Sequence, residues 1–351
     1  MNPWQHLQSE LRQYWPKTLH RDHSGQSSVG TVVGCSGGAD SVALTLALAT
    51  MWRQDAASKN GSVTAPLVIG HFNHRWRGNT SDEDQAFVER LAERLELPVE
   101  VGSTTEPTSQ RDEASARRDR RAFLVNAAHR FGCRYIALAH SVDDQAETVL
   151  HQLCRGTGQA GLSGMAFQTP VPRSPCVIIR PWLQVRRSDI RIALSSIKQA
   201  WREDASNLNP TFTRNWWRQQ IVPMLQTRYP DVIGAIGRAS QLQRESHALT
   251  QDLARQWVSR FTRVIADPAA SWHVSIERDD PWGIAHQLPV IVASCQRVWD
   301  ELKWPRGAYS REHWLRMARW IVDPDPSSPS MWPGDIKAVI AGNELRFHRH
   351  A

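Results

Sequence analysis

Short β-branched runs alternate with longer helical segments between residues 29 and 188, and this alternation limits the fold more than any other feature of the sequence. Strands that are joined through helices form a parallel sheet with helices on both faces. We therefore predict an α/β fold, with a doubly wound, mostly parallel, five-stranded sheet of Rossmann-like type. The predicted strands are 29–35, 66–72, 98–101, 134–139 and 177–181.

The second part of the chain differs in composition from the first. A long polar helical stretch at 231–264 is followed by tryptophan-rich segments and a Pro/Ser-rich loop at 323–333. With 351 residues, the chain also exceeds the usual size of one compact core. We therefore predict two domains, residues 1–228 with the sheet and residues 229–351 as a smaller, helix-rich C-terminal domain.

Charge and cysteine content narrow the classes of function. The formal net charge of +7 favours polyanionic partners such as nucleic acid. None of the five cysteines forms a C-x-x-C pair, which argues against a zinc ribbon, an iron–sulfur site or a thioredoxin-like site. The sequence contains neither an apolar run of membrane-spanning length nor a signal-peptide pattern. We expect a cytoplasmic protein without a membrane span.

The glycine-rich turn after the first predicted strand is the sharpest local signal. It reads S-G-G-A-D-S at 36–41 and leads into a helix. Backbone N–H groups at such a junction bind anions, and glycine allows the phosphate to approach closely. Asp40 would repel a phosphate unless a cation lies between them, which suggests a Mg²⁺ bridge. The turn is neither a Walker A loop nor a dinucleotide fingerprint, and a plain turn capped by two serines is the alternative.

A second polar segment follows the fourth predicted strand and reads H-S-V-D-D-Q-A-E-T at 140–148. Asp143 and Asp144 would begin a helix at the carboxyl edge of the sheet, where ligands bind in folds of this class. Asp144 and Glu147 share a helix face, and carboxylates there can hold Mg²⁺ or orient an amine. A simple helix cap would explain only one of these acidic residues.

Two arginine-rich segments are candidates for phosphate contact. Arg117, Arg120 and Arg121 fall on one flank of a predicted helix, and Arg214 and Arg218 follow each other at helical spacing. The guanidinium fork matches phosphate oxygens. The alternative for both segments is a solvated basic helix face.

Together these motifs resemble the PP-loop ATP pyrophosphatases, whose signature is S-G-G-x-D-S after the first strand. Further segments resemble the lysidine synthase branch of that family. Trp76 and Arg121 stand where that branch usually has Leu and Tyr. The segments are H-F-N-H-R-W at 71–76, E-A-S-A-R-R-D-R-R-A-F-L at 113–124, 140–148, R-G-T-G at 155–158, G-L-S-G-M at 161–165, R-P-W-L at 180–183, W-R-E-D-A-S-N at 201–207 and F-T-R-N-W-W-R at 212–218.

The resemblance implies an ATP-dependent carbon–nitrogen ligase of tRNA processing. Such an enzyme joins L-lysine to C2 of the wobble cytidine in the CAU anticodon of tRNA(Ile), forming lysidine and releasing AMP and pyrophosphate. ATP and Mg²⁺ would be required, with Asp40 as the Mg²⁺ ligand and Asp144 as the group that positions or deprotonates the lysine amine. The implied catalytic residues are Asp40, Asp143, Asp144 and Glu147; the implied ATP-binding residues are Ser36, Gly37, Gly38, Ala39, Asp40, Ser41, His71 and Arg117; the implied tRNA-binding residues are Arg120, Arg155, Arg214 and Arg218.

Two other functions stay open from the sequence. A PP-loop tRNA thiolase would insert sulfur, and activity that needs a sulfur donor and no lysine would identify it. A non-catalytic RNA-binding protein with a relic loop would fail to bind ATP. The resemblance weakens after residue 228, and we expect the further C-terminal domain of longer members to be absent. No protein partner is evident, and a homodimer is left open.

Overall fold

The chain divides into two compact units, Met1–Gln241 and Leu242–Ala351. The division falls inside helix α10 (Val232–Phe261), so a continuous helix runs through it. The predicted boundary at residue 228 stays a prediction. The computed structural model describes residues 2–15, 29–58, 65–75, 79–104, 113–203, 213–265, 270–278, 283–326 and 331–349.

The first unit is built on a six-stranded sheet with the strand order β3-β2-β1-β4-β6-β5. Five neighbouring strands run parallel, which confirms the predicted parallel sheet. The sixth strand, β5, pairs antiparallel with β6 at the edge. This strand was not predicted, because its three residues are too few for an alternating pattern. The strands are β1 (Gly30–Gly34), β2 (Leu67–Asn73), β3 (Val99–Ser103), β4 (Cys133–Ala137), β5 (Gln168–Pro170) and β6 (Val177–Ile179).

Helices cover both faces of this sheet, as its apolar strands require. Val32 and Val33 of β1 are both fully buried, but they belong to different core clusters. Val33 packs with α2 residues such as Val42, and Val32 packs with Leu124 of α4. The helices of this unit are α1 (Pro3–Tyr14), α2 (Ala39–Ser58), α3 (Asn79–Leu95), α4 (Glu113–Arg130), α5 (Val142–Cys154), α6 (Gln159–Leu162), α7 (Arg187–Ser196), α8 (Thr213–Trp216) and α9 (Val222–Arg228), with a π-helical segment at Trp217–Ile221 and the first part of α10.

Within the described residues, the second unit combines the remaining part of α10 and two further helices with an antiparallel sheet of strand order β7-β8-β11-β10-β9. The helical character was expected, but the sheet was not. The sequence does contain the alternating pattern of a strand at 271–275, where Trp272 and Val274 alternate with polar residues and are fully buried. The elements are β7 (Thr262–Ile265), β8 (Ser271–Ser275), α11 (Leu288–Glu301), α12 (Arg311–Val322), β9 (Met331–Trp332), β10 (Ile336–Ala341) and β11 (Glu344–Arg349).

Tryptophan forms much of the core of this second unit. Trp257, Trp272 and Trp299 are fully buried in one cluster with Phe347. The ring centroids of Trp272 and Phe347 lie 4.9 Å apart. Such side chains bury a large apolar area, and these tryptophans act in packing and not in base stacking.

No helix in the described part of the chain is long and apolar enough to cross a membrane.

Candidate active site

A polar cavity of about 420 Å³ opens at the carboxyl ends of the parallel strands of the first unit. Folds of this class bind ligands at that edge, because loops after neighbouring strands converge there. Fifteen residues were assigned to the site from the sequence, and ten of them line this cavity. They are Ser36, Gly38, Ala39, Asp40, Ser41, His71, Arg120, Asp144, Arg214 and Arg218.

The glycine-rich loop between β1 and α2 has the backbone of an anion site. Gly37 has φ +89°, a conformation that side chains rarely adopt, which explains the glycine there. The Ser36 N–H donates to the Ser41 hydroxyl at 3.1 Å, and that hydroxyl donates to the Gly38 carbonyl at 3.0 Å. These bonds fix the turn before the N-terminus of α2, where the helix dipole favours a negative charge.

Asp40 lies in the first turn of α2 and faces the cavity. Its Oδ2 accepts a hydrogen bond from Nε of Arg187 at 3.3 Å, whereas its Oδ1 is buried and has no hydrogen-bond partner among the described residues. Burial raises the pKa of Asp40 to about 6, although the charge of Arg187 opposes this. A buried carboxylate oxygen without a donor is suited to bind a cation.

Asp144 is held by hydrogen bonds on both of its oxygens. The backbone N–H and the hydroxyl of Ser141 each donate to its Oδ2 at 2.9 Å, and Nη2 of Arg187 donates to its Oδ1 at 2.9 Å. Burial favours the protonated form, but the positive charge of Arg187 outweighs it and holds the pKa of Asp144 well below its usual range. Asp144 therefore stays ionised and is a weak proton acceptor. The neighbouring Asp143 accepts the backbone N–H of Arg187 at 2.9 Å.

Glu147 is buried one helical turn further along α5, with 2% of its residue surface exposed. Its carboxylate accepts hydrogen bonds from Nε of Arg218 at 2.9 Å and from Nη2 at 3.3 Å. Nε of Arg214 lies 3.9 Å away. Arg214 and Arg218 thus point into the cavity and balance buried carboxylates, and do not form the exposed basic face that was the alternative reading. Arg218 is carried by the π-helical segment, a feature that often marks functional sites.

Sequence reasoning missed Arg187, the residue with the widest set of contacts in this cluster. Its side chain is 17% exposed, and it forms ion pairs with Asp40, Asp144 and Glu147. Serine is a preferred N-cap residue, which would favour a helix that starts after Ser188. Instead α7 begins at Arg187, with Arg186 as the N-cap, so the Arg187 side chain turns towards the cavity. Its position soon after the R-P-W-L segment was the only available signal.

Three histidines also line the cavity, His71, His74 and His140, and burial keeps His71 and His140 neutral. His71 lies near the end of β2, and its Nδ1 lies 2.9 Å from the Cys35 carbonyl, which assigns the proton to Nδ1 and leaves Nε2 as an acceptor. Burial lowers the pKa of His71 and lowers that of His140 to about 3. Nε2 of His71 and Nδ1 of His140 are buried without a hydrogen-bond partner in the described structure.

Some predicted residues lie outside the cavity. Arg117 is exposed on α4, whereas Arg120 of the same helix lines the cavity. Arg155 is exposed at the C-cap of α5, about 18 Å along the helix from Asp143. Gly37, Asp143 and Glu147 do not line the cavity, but each contacts a residue that does: Gly37 contacts Arg202, and the two carboxylates contact Arg187. Parts of three motifs lie outside the described residues: Trp76 of the motif at 71–76, residues 204–207 of the motif at 201–207, and Phe212 of the motif at 212–218.

Arg202 is a second residue that sequence reasoning missed. Its backbone N–H donates to the Gly37 carbonyl at 2.9 Å, and this hydrogen bond stabilises the conformation of the glycine-rich loop. Its Nε donates to Asp84 at 2.9 Å. The surrounding motif gave a signal for the segment but not for this residue.

Comparison with known proteins agrees with this arrangement. A family profile described as a PP-loop domain matches residues 5–225. A tRNA(Ile)-lysidine synthase from Rhodopirellula baltica is 41% identical over 350 residues, which cover 91% of this chain and 85% of that protein. Another from Geobacter sulfurreducens is 32% identical over 323 residues, and this chain spans 64% of its length.

Among solved structures, the U34-tRNA thiolase NcsA from Methanococcus maripaludis is similar, with a TM-score of 0.54. The match covers 69% of this chain and 79% of that chain, at 16% sequence identity, and it shows a shared fold. The cavity with its loop, the PP-loop match and the identity to the Rhodopirellula protein all lead to one assignment. The chain belongs to the tRNA(Ile)-lysidine synthase family of PP-loop proteins.

Proposed function

We propose that this protein ligates L-lysine to C2 of the wobble cytidine in the CAU anticodon of tRNA(Ile), with ATP as the energy source. One observation carries the proposal: the anion-binding loop and the buried carboxylate of Asp144 line the same cavity, and Glu147 lies in the same ion-pair cluster as Asp144. The reaction needs both, because a pyrophosphate must be held in one part of the site and a cationic amine in another. The names of the relatives specify the tRNA and the product, lysidine.

The glycine-rich loop at residues 36–41 forms one half of the cavity, the loop half, and this half suits ATP. The backbone at Gly37 and Gly38 and the N-terminus of α2 would hold the pyrophosphate, and the free Oδ1 of Asp40 would hold Mg²⁺. Mg²⁺ commonly binds one or two carboxylates together with substrate phosphates. It would neutralise the charge that develops on the phosphates. Within the described ranges, no three His, Cys, Asp or Glu side chains form a ready-made metal site.

The first step in this half adenylates the base. The O2 oxygen of the cytidine attacks the α-phosphorus of ATP, a bond forms between them, and pyrophosphate leaves with the bonding electrons. The cytidine has to leave its stack to reach the cavity, as bases do in other enzymes that act on them. Arg120 lines the cavity and would contact RNA or nucleotide phosphate there.

The other half of the site, the acidic half, is formed by Asp144 and Glu147 with their arginine partners, and it suits the amine of lysine. Asp144 and Glu147 stay close to the cavity but are balanced by Arg187, Arg214 and Arg218. Because the pKa of Asp144 is low, we assign it to positioning the amine and not to removing its proton. The ε-amine forms the bond to C2, the bond between C2 and the oxygen of AMP breaks, and the amine proton passes to solvent.

Incorporation of radiolabelled lysine into unmodified tRNA(Ile) bearing CAU tests the proposal directly. We expect labelling that requires ATP and disappears when the wobble cytidine is replaced by uridine. The same tRNA with ATP but without enzyme is the control. Release of AMP without lysine incorporation would contradict the proposal and leave PP-loop chemistry with another nucleophile.

A further inference from the structure

We propose that Arg187 is a positioning residue that joins the two halves of the cavity into one unit, so that nucleotide and lysine affinity both depend on it. This inference rests on the proposed function. Arg187 contacts all four carboxylates that the sequence analysis selected, three through its side chain and Asp143 through its backbone N–H.

The backbone of Arg187 is fixed independently of its side chain. The N–H of Val142 donates to the Val185 carbonyl at 2.9 Å, and the N–H of Arg187 donates to Asp143 at 2.9 Å. These two hydrogen bonds fasten the start of α7 to the start of α5. They do not involve the guanidinium group, so substitutions of the side chain keep them.

The guanidinium group then reaches from α7 to two different elements. Nε lies 3.3 Å from Oδ2 of Asp40, next to the glycine-rich loop. Nη2 lies 2.9 Å from Oδ1 of Asp144, and Nη1 lies 3.6 Å from Oε1 of Glu147, both on α5. Only a planar, forked cation such as guanidinium can contact these three carboxylates at the same time. A lysine in its place would contact one carboxylate at a time.

Two consequences follow for the ligands. Asp40 turns Oδ2 towards Arg187, which leaves Oδ1 as the oxygen available for a cation. Asp144 is fixed by the same group and by Ser141, which sets where an ammonium group can be placed. Loss of the fork frees both carboxylates to turn, so both ligands lose affinity.

The test compares R187K with R186K in the full chain. Arg186 is the adjacent residue, and it lies 3.7 Å from Asp231, away from the cavity. We would measure the affinity for Mg²⁺ with a non-hydrolysable ATP analogue, and separately the affinity for lysine with tRNA and that analogue present. We expect R187K to weaken each affinity about tenfold, and R186K to change each less than twofold. A role in folding alone would lower the Tm and leave both affinities unchanged.

An R187K variant that weakens neither affinity, or only one, would overturn the inference. If the wild-type protein binds no lysine, the proposed function fails, and the role of Arg187 is then judged from nucleotide affinity in D144N, R187K and the double variant. A bridge predicts that D144N changes nucleotide affinity only while Arg187 is present. Equal effects of D144N in both backgrounds would contradict the bridge.

Discussion

The two halves of the cavity are built in different ways. The loop half is made by neighbours in sequence, residues 36–41, and its function depends on backbone conformation at Gly37. The acidic half is made by side chains from separate helices, with Glu147 on α5 paired to Arg218 more than seventy positions later. A local motif therefore specifies the first half, whereas the second half depends on tertiary packing. Substitutions in the loop half should accordingly affect chemistry with little change in stability, whereas those in the acidic half should affect both stability and transfer of the amine.

The largest effect is expected for D40A in the loop half. Loss of the cation ligand should lower ATP-dependent AMP formation at least 10²-fold, because charge stabilisation at the reacting phosphate is removed. Affinity for tRNA, measured by filter binding, should change little. The matched control is D189A, since Asp189 is exposed on α7. If D40A loses AMP formation and tRNA binding together, Asp40 is a structural residue and the comparison fails.

The acidic half should show its largest effect in stability. E147A leaves Arg218 and its neighbours facing a buried gap without their counter-charge. Breaking a buried ion pair in this way costs about 3–5 kcal/mol, which lowers the Tm by about 6–20 °C. Thermal unfolding followed by circular dichroism measures this. S36A in the loop half should shift the Tm by less than about 2 °C, since surface substitutions have small effects. Equal shifts would remove the distinction between the halves.

The pH dependence of nucleotide binding should sharpen the contrast. The ionised form of Asp40 binds the cation, and burial raises its pKa to about 6. Affinity for the Mg²⁺–nucleotide analogue should therefore be constant well above pH 6 and fall towards tenfold per pH unit below it. Isothermal titration from pH 5 to pH 8 checks this, and D40N should flatten the profile. Asp144 stays ionised throughout this range, so D144N should keep the slope. A slope that survives in D40N would assign the titration to another group.

The smallest effect is expected at Arg155, far from both halves. R155Q should weaken tRNA binding a few-fold and leave nucleotide affinity unchanged, because an exposed arginine contributes through phosphate contact alone. The slope of log affinity against log salt should become shallower by about 0.7–0.9 for one lost contact. An unchanged slope and affinity would remove Arg155 from the tRNA-binding set.

The loop half could be predicted from the sequence because strand, turn and helix follow each other directly. Gly37 and Asp40 were both assigned to the site; Asp40 lines the cavity, and Gly37 supplies the positive φ that the loop beside it requires. The five parallel strands were predictable for a similar reason, since each contains β-branched apolar residues and has helical segments on either side. Two kinds of strand were not predicted. The apolar pattern of β5 is too short, and β8 lies in a region whose long polar helical stretch led to a helix-rich prediction.

The acidic half could be predicted only in part. Asp144 and Glu147 stood out as acidic residues within a motif, but their partners are distant in sequence. Nothing in the segment around Arg187 states that its side chain lies between α2 and α5, because that depends on how α7 packs. The orientation of Arg214 and Arg218 towards Glu147 was undecidable for the same reason.

The central claim is that the loop half adenylates the base and the acidic half delivers the amine. A pulse–chase experiment with α-³²P-labelled ATP and tRNA(Ile) tests it most directly. Without lysine, wild-type enzyme should transfer label to the RNA, and added lysine should release it as AMP. We predict that D40A transfers no label, whereas E147Q transfers label but releases it slowly when lysine is added. Normal labelling by D40A, or wild-type release by E147Q, would contradict the account.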